Sequence, residues 1–285
     1  MKYDIINDIK VVAKILRLSY SEIAQELNVA RSTVTRIVNG QTYPSNSFLE
    51  DFYSFAYKNK YHSIELNKLK IEYAKNIYKN LLFHGARKDI EGLIDMSHSQ
   101  SDIDVGIGFY LGESYEQASS YVFANRQSSI YLFDTSELKN SKIVEFDISL
   151  EWILMISYYR GQLSRFEKSP VVQKIIKEVE QSDVVIAPIA DNNMYEILNR
   201  FARGDITDMQ ARVALSASDL GKQHVLKSNL ACQSVKIVGK LYLCKQERED
   251  IEEIRKERAD RVKKESQALI ESLRRQGKYI EEILK

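Results

Sequence analysis

Cysteine is scarce in this sequence, and long apolar runs are missing from it. Its 285 residues include only two cysteines, Cys232 and Cys244, with no Cys-x-x-Cys motif and no histidine pair nearby. This usage argues against a zinc site and predicts a reducing compartment. No run approaches the roughly 20 apolar residues of a membrane span, and the start at Met1 lacks the apolar core of a signal peptide. We therefore expect a cytoplasmic protein with no metal and no membrane partner.

The chain also has almost no net charge. Lys and Arg total 41, Asp and Glu total 40, and the formal charge is +1. A chain so balanced has no global field that would draw it to nucleic acid or acidic lipid. Its length suits one large domain or two modest ones. Binding of nucleic acid would therefore have to come from a local arrangement of residues.

Residues 1–60 have a helical pattern without strand-like alternation. Ser19 and Glu22 have the spacing of a capping box, which marks the start of a helix. A second helix is predicted over Arg31–Asn39, and Gly40 supplies its stop. Two short helices joined by a tight turn form a helix-turn-helix. We therefore predict an all-α helix-turn-helix domain over 1–60.

This domain resembles the phage-repressor (Cro-like) class over roughly Ile9–Tyr57. The resemblance rests on the run from Ser21 to Val29, and on Ser32-Thr33-Val34, Ile37, Asn39-Gly40 and Pro44-Ser45. It implies a recognition helix facing the DNA major groove through Arg31, Ser32, Thr33 and Arg36. Such side chains suit phosphates and base edges. Because residues 1–60 hold only eight Lys or Arg against six Asp or Glu, a small helical interaction domain remains an alternative.

The pattern changes after a polar helical connector predicted over 61–80. From 81 to 244 strand-like and helical runs alternate, which is typical of an α+β domain. The strand candidates are Leu81–His84, Gly108–Leu111, Ser129–Asp134, Lys142–Asp147, Val184–Ile189, His224–Ser228 and Val235–Tyr242. The helix candidates are Tyr115–Asn125, Leu150–Gln162, Pro170–Gln181, Asn193–Arg203 and Thr207–Ser216.

The tail over 245–285 is predicted to be one charged helix. It carries 12 Lys or Arg and 11 Asp or Glu. An approximate heptad seam runs along it through Val262, Leu269, Leu273, Ile280 and Ile283. Such a run is usually a solvated helix, but a seam of this length also suits docking of a small antitoxin or self-association.

Two segments of the α+β region carry a recognisable pattern. One is Leu81-Leu82-Phe83-His84-Gly85, and the other is Gly106-Ile107-Gly108-Phe109-Tyr110-Leu111, followed by Tyr121 in Ser119-Ser120-Tyr121. Together they resemble the NAD⁺ pocket of ADP-ribosyltransferases of the diphtheria-toxin and poly-ADP-ribose-polymerase type. The resemblance implies that the His84 imidazole bonds the adenosine ribose and the Gly85 backbone bonds the nicotinamide amide. Tyr110 and Tyr121 would then sandwich the nicotinamide ring.

The third position of that family is usually a glutamate that holds the nicotinamide ribose. The matching segment here, Leu220-Gly221-Lys222-Gln223, implies that Gln223 takes this place. Glutamine accepts a hydrogen bond but offsets no positive charge and is no general base. A slower transferase, dependence on the acceptor's own reactivity, and a pocket that only binds NAD⁺ all stay open. A glutamate at position 223 is expected to preserve or raise NAD⁺ hydrolysis.

The region 82–228 also resembles a bacterial family known only as a domain of unknown function. That pattern includes Asp104-Val105-Gly106-Ile107-Gly108-Phe109-Tyr110-Leu111, Ile189-Ala190-Asp191-Asn192 and Leu220-Gly221-Lys222-Gln223. Glutamine belongs to the pattern, so the resemblance implies that Gln223 is a family trait and not a decayed glutamate. Asp191 and Asn192 are candidates for NAD⁺ binding, although capping of the next helix is their commoner role. Domains of this kind are thought to be transferase-like and associated with toxin-antitoxin loci.

The sequence therefore predicts an α+β protein with a helix-turn-helix domain, an ADP-ribosyltransferase-like domain (81–244) and a charged C-terminal helix. The leading hypothesis is a transferase that consumes NAD⁺ as substrate, has His84, Tyr110 and Gln223 as catalytic residues, and binds DNA. A transcriptional regulator that senses NAD⁺ without turnover is the alternative from another class. A toxin whose helix-turn-helix docks a partner or regulates its own gene is a third.

Overall fold

The computed structural model describes residues 1–59, 64–96, 99, 103–126, 128–190, 192–218, 220–274 and 276–285. Over these residues the chain is a mixed α+β protein, as predicted. It divides into two compact units, each assembled from three stretches of sequence. Unit 1 comprises Met1–Glu91, Ala118–Asp134 and Ile237–Glu253, and unit 2 comprises Gly92–Gln117, Thr135–Lys236 and Ile254–Lys285. No helix of the described residues is long and apolar enough to cross a membrane.

Unit 1 begins with a series of short helices. They are α1 (Ile5–Leu16), α2 (Tyr20–Glu26), α3 (Arg31–Val38), α4 (Asn46–Tyr57) and α5 (Leu66–Ile77). The predicted capping box of α2 is confirmed, because the Ser19 amide donates to Glu22 Oε2 at 2.7 Å and the Glu22 amide donates to Ser19 Oγ at 3.3 Å. The turn between α2 and α3 passes through Asn28, whose φ is +51°. Asparagine tolerates this left-handed conformation better than most residues do.

The helices of unit 1 share one core with the end of a distant strand. Ile9, Ile23, Ile37 and Phe52 are fully or almost fully buried in this core, and Tyr242 packs in the same cluster. Such sharing ties the N-terminal helices to strand residues far along the chain.

Buried polar bonds reinforce the packing of α1 against α4 and α5. The carboxylate of Asp8 accepts from the Tyr53 hydroxyl at 2.5 Å and from Lys70 Nζ at 2.8 Å. Burial raises the pKa of the Asp8 carboxyl, and the nearby Lys70 partly opposes that shift. The two donors offset at Oδ2 a charge that would otherwise be costly to bury, whereas Oδ1 is buried with no hydrogen-bond partner among the described residues.

Seven strands lie in the described residues. They are β1 (Leu81–Ala86), β2 (Phe109–Gly112), β3 (Ser129–Asp134), β4 (Ile143–Glu145), β5 (Val184–Pro188), β6 (Lys222–Leu226) and β7 (Lys236–Tyr242). In unit 1 the strand order is β1-β3-β7, and in unit 2 it is β4-β5-β6-β2. β1 is antiparallel to β3, and β6 is antiparallel to both β5 and β2. The seven predicted strands are thus confirmed, with β6 beginning two residues before the predicted His224.

The other helices follow the sequence pattern closely. They are α6 (Tyr115–Val122), α7 (Leu150–Tyr159), α8 (Pro170–Glu180), α9 (Asn192–Ala202), α10 (Asp208–Ser216) and the short α11 (Asn229–Gln233), with a 3₁₀ turn over Ser136–Asn140. Helix α7 is apolar on nearly every side, and Trp152, Leu154 and Met155 are buried in the core of unit 2. A helix of this kind has no solvated face, so it lies inside the unit.

The prediction of one continuous tail helix is wrong. Helix α12 (Lys245–Ser272) ends well before the chain does, and a turn with Gly277 at φ +86° leads into α13 (Ile280–Ile283). The tail packs within unit 2 at Ile270, whose carbonyl accepts from Gln210 Nε2 at 2.8 Å. Val262 and Ile280 of the predicted seam are buried as well. Part of the seam is therefore covered by the chain's own residues.

Candidate functional site

The two strands β2 and β6 bring Tyr110 and Gln223 onto one face of the sheet in unit 2. Tyr110 lies opposite Val225, and Gln223 lies opposite Gly112. Residues opposite each other in an antiparallel pair share a face, so Tyr110 and Gln223 are diagonal neighbours on it. His224 is on the other face, where its ring nitrogen Nε2 lies 3.3 Å from Glu113 Oε1. Gln223 and His224 therefore point to opposite faces of the sheet.

The carboxylate of Asp104 receives hydrogen bonds at both oxygens. Oδ2 accepts from the Gln223 amide nitrogen at 2.9 Å and from the Ala190 backbone amide at 3.1 Å. Oδ1 accepts from Arg160 Nε at 2.9 Å and from a second nitrogen of the same guanidinium. Asp104 is only 6 % exposed and Gln223 only 5 %. This is a buried, charge-balanced network, in which each bond is strengthened by the low local dielectric.

Arg160 closes the network from the end of α7. Besides Asp104, its Nη2 donates to the Ala190 carbonyl at 2.6 Å, and its guanidinium lies 5.7 Å from the ring centre of Tyr195. A planar guanidinium with several donors suits this bridging role better than a lysine would. Ala190 is therefore held at both its amide and its carbonyl.

The network joins three motif segments that the sequence analysis quoted separately. Asp104 opens the glycine-rich segment, Ala190 lies in the Ile-Ala-Asp-Asn segment, and Gln223 ends the Leu-Gly-Lys-Gln segment. Sequence reasoning gave Asp104 no role and did not single out Arg160. The sequence carries no clear signal for Arg160, because an arginine directly after a helix is explained as readily by its favourable interaction with the helix C-terminus.

Tyr110 is bound to the glycine-rich loop before β2. Its hydroxyl donates to the Gly106 carbonyl at 2.6 Å and accepts from the Val105 amide at 3.2 Å. Gly106 has φ +68°, and a Cβ there would lie 2.6 Å from the Tyr159 ring. Only glycine fits this position. The Tyr110 hydroxyl thus has a structural role, and its half-buried ring packs against the core of unit 2.

Lys227 supports the same loop from β6's far end. Its Nζ donates to the Val105 carbonyl at 2.9 Å and lies 3.3 Å from Glu180 Oε1. Burial lowers the pKa of Lys227, and Glu180 partly opposes this. The pKa of Tyr159 is raised by burial and by its hydrogen bond to Glu180. These contacts hold the loop from Asp104 to Gly108 in place.

His84 and Gly85 lie on β1 in unit 1. His84 is opposite Tyr131 of β3, and its ring packs edge-on against Phe133 at a centroid distance of 6.4 Å. At Gly85 a Cβ would lie 2.3 Å from the Ala118 carbonyl oxygen. Packing against α6 therefore requires glycine at this position whether or not a ligand approaches it.

The remaining predicted pocket residues are Tyr121, Asp191 and Asn192. Tyr121, on α6, is 56 % exposed. Asn192 is the first residue of α9, and Asp191 lies outside the described residues. In the described part of the chain, no group of three or more His, Cys, Asp or Glu side chains is arranged to hold a metal ion.

The predicted recognition residues lie on α3. Arg31, Ser32 and Arg36 are exposed and Thr33 is half-buried, whereas the apolar side of the helix enters the unit 1 core. The Thr35 hydroxyl donates to the Arg31 carbonyl at 3.0 Å. These side chains are therefore available to a partner of unit 1.

Comparison with known proteins identifies one family. The model of the family described as protein of unknown function (DUF3990) matches residues 81–237, which is more than half of the chain. The match includes all three segments that meet at the Asp104 network. No curated protein and no solved structure matches the chain. By this match the chain belongs to the DUF3990 family.

Proposed function

We propose that the chain is an ADP-ribosyltransferase-like enzyme that uses NAD⁺ as substrate. The observation that supports it is the arrangement in unit 2, where Gln223 is held by Asp104 on the same face as Tyr110. In the resemblance these are the positions of the ribose-binding residue and a nicotinamide-stacking residue. The roles of His84, Gly85, Tyr121, Asp191 and Asn192 rest on the resemblance alone.

The proposed reaction breaks the bond between nicotinamide and ribose. The bonding electron pair leaves with nicotinamide, which becomes neutral, and positive charge develops on the ribose as an oxocarbenium ion. A nucleophilic oxygen or nitrogen of the acceptor then forms a bond to the ribose carbon and releases its proton to water. Tyr110 would hold the nicotinamide ring, and the Gln223 amide oxygen would accept from a ribose hydroxyl.

The proposed architecture also gives the chain a DNA-binding function. The helices α2 and α3 form the proposed helix-turn-helix, with Arg31, Ser32, Thr33 and Arg36 as its DNA-facing residues. Exposure of three of these side chains supports this role. We place such a protein in the cytoplasm, as a toxin or defence effector, and the exposed parts of the tail are where a small antitoxin would bind.

The test is incubation of the full-length chain with NAD⁺ labelled in its adenylate part and with cell lysate. We expect free nicotinamide and labelled macromolecules from the wild-type chain, and neither from His84→Ala or Tyr110→Ala. Tyr73→Ala is the matched control, because this tyrosine is 70 % exposed on α5. The transferase proposal is wrong if the folded wild-type chain releases no nicotinamide, or if both pocket variants fold and turn over normally.

A regulator that binds NAD⁺ without turnover is the second candidate. It is favoured by the amide at position 223, because a neutral amide cannot offset the developing positive charge and Arg160 already balances the charge of Asp104. This candidate predicts that NAD⁺ raises the melting temperature while nicotinamide release stays at background. For comparison, ligand at about ten times Kd stabilises by roughly 1.4 kcal/mol.

A further inference from the structure

We infer that Asp104 is a positioning residue, which fixes the Gln223 amide so that its oxygen is the group offered to the substrate. The role of the amide oxygen toward a substrate rests on the proposed function, whereas the hydrogen bond by which Asp104 orients the amide does not. Asp104 itself is not expected to touch the ribose. Its effect is exerted through Gln223.

The orientation of the amide follows from the groups around it. A glutamine amide has an accepting end and a donating end, which are similar in shape. The Asp104 carboxylate only accepts, and its Oδ2 lies 2.9 Å from Gln223 Nε2. A flipped amide would place oxygen against oxygen at that distance. The amide nitrogen must therefore face Asp104, and no described residue donates to the amide oxygen.

Asp104 is itself prevented from turning. Arg160 binds Oδ1 through two nitrogens, and the Ala190 amide binds Oδ2 at 3.1 Å. Both oxygens thus face donors on separate elements. A carboxylate held in this way gives Gln223 a fixed partner, so the amide is prepared before any ligand binds.

The same arrangement makes the amide oxygen a better acceptor. Hydrogen-bonded groups polarise one another in a low-dielectric interior. The negative carboxylate at the amide nitrogen repels electron density toward the amide oxygen. A neutral glutamine backed by Asp104 thus supplies part of what a glutamate would supply. This offers a physical reason for glutamine at the third position.

The Asp104 network also changes what we expect of the variant Gln223→Glu. Gln223→Glu alone would put a second carboxylate about 3 Å from Asp104, where Arg160 is the one cation that the described residues pair with Asp104. We therefore expect Gln223→Glu to lose stability and activity, not to raise hydrolysis. In the double variant Asp104→Asn with Gln223→Glu, the amide nitrogen at position 104 donates to the carboxylate at position 223, so one donor again faces one acceptor.

The experiment compares four full-length chains: wild type, Asp104→Asn, Gln223→Glu and the double variant. In Asp104→Asn, the asparagine oxygen stays on Arg160 and its amino group turns toward Gln223, which must flip and present its own amino group. The Ala190 amide loses its acceptor in both Asp104→Asn and the double variant, so that loss cancels between them. Asp183→Asn is the matched control, since its carboxylate binds Ser228 and the Lys142 amide elsewhere in unit 2.

Thermal unfolding tests the hold without reference to activity. We expect Gln223→Glu and Asp104→Asn each to lower the melting temperature, the latter because it leaves Arg160 without a charged partner. The double variant should be more stable than Asp104→Asn, from which it differs only at position 223. A double variant no more stable than Asp104→Asn overturns the orientation of the amide by Asp104. This readout stands even if the wild-type chain releases no nicotinamide, a result that would reject the proposed function and with it the catalytic role.

Nicotinamide release tests the role of the amide oxygen. We expect Asp104→Asn to lower kcat at least about tenfold with little change in KM, because the acceptor matters most as positive charge develops. The double variant should recover to within about threefold of wild type, and Asp183→Asn should match wild type. Wild-type kcat in Asp104→Asn, or a double variant no faster than Asp104→Asn, would overturn the positioning role.

Discussion

Replacement of Arg160 by methionine should destabilise unit 2 severely. The change keeps an unbranched apolar stem and removes the two bonds to Asp104 Oδ1 and the 2.6 Å bond to the Ala190 carbonyl. The side chains of Arg160 and Asp104 are only 13 % and 8 % exposed, so water cannot replace the lost donors freely. Removing one partner of a buried ion pair costs about 3–5 kcal/mol.

The assay is urea unfolding of Arg160→Met beside two reference variants. Lys68→Met breaks an ion pair with Glu65 whose side chains are 64 % and 65 % exposed, and it should cost less than about 0.5 kcal/mol. Adding Asp104→Asn to Arg160→Met removes the unpaired charge, so it should recover at least about 1 kcal/mol. A loss below about 1 kcal/mol in Arg160→Met, or no recovery in the double variant, would refute a charge-balanced buried network.

Three other predictions concern unit 1 and the far face of β6. Gly85→Ala should cost about 1–3 kcal/mol by overpacking against the Ala118 carbonyl, whereas at Gly239 a Cβ meets Leu132 at an ordinary 3.4 Å, so Gly239→Ala is the control in denaturant unfolding. Burial lowers the pKa of His224 below its ordinary 6.5. As pH falls below 6.5, the unfolded chain binds a proton at this residue more readily than the folded chain does, so stability is lost. His224→Gln should therefore reduce the fall of the unfolding free energy at acid pH, and an unchanged fall would contradict this. Arg31→Ala with Arg36→Ala should weaken duplex DNA binding by the full-length chain and reduce its salt slope by about 1–2, as measured by anisotropy. No binding by the wild-type chain at low salt would favour a protein-docking role for α3.

Local pattern was enough to predict most of the elements. The strands alternate or form short apolar runs, and the helix starts carry capping residues such as Ser19, so local sequence and final structure agree. The end of α12 was missed although Gly277 is a recognisable stop signal, because the charged run before it suggested one continuous helix. The short α11 was missed because a five-residue helix has almost no period to read.

The contacts that organise the site could not be predicted in the same way. Gln223 and Asp104 are separated by 119 residues, and no local rule pairs an amide with a carboxylate at that distance in sequence. Gly85 shows the opposite difficulty. A glycine expected for ligand approach has a sufficient reason in the packing of α6. Long-range packing thus decides which motif residues face a ligand and which support the fold.

The shared core of unit 1 was likewise invisible in the sequence. Composition suggested a boundary near residue 80, yet Tyr242 packs in the same cluster as the N-terminal helices, and its carbonyl accepts from Asn67 at 2.8 Å. These residues are 175 positions apart. A change in local sequence pattern suggests a domain boundary. Burial of apolar surface can nevertheless pack together elements that are far apart in the sequence.

The most direct test of the account is steady-state nicotinamide release by full-length wild type and Gln223→Ala. If Gln223 accepts from the nicotinamide ribose, its loss should fall mainly on kcat and leave the affinity for NAD⁺ almost unchanged. The affinity is measured separately by thermal shift, so that binding and turnover are not confused. Wild-type turnover and binding in a folded Gln223→Ala chain would show that this strand does not carry the third catalytic position.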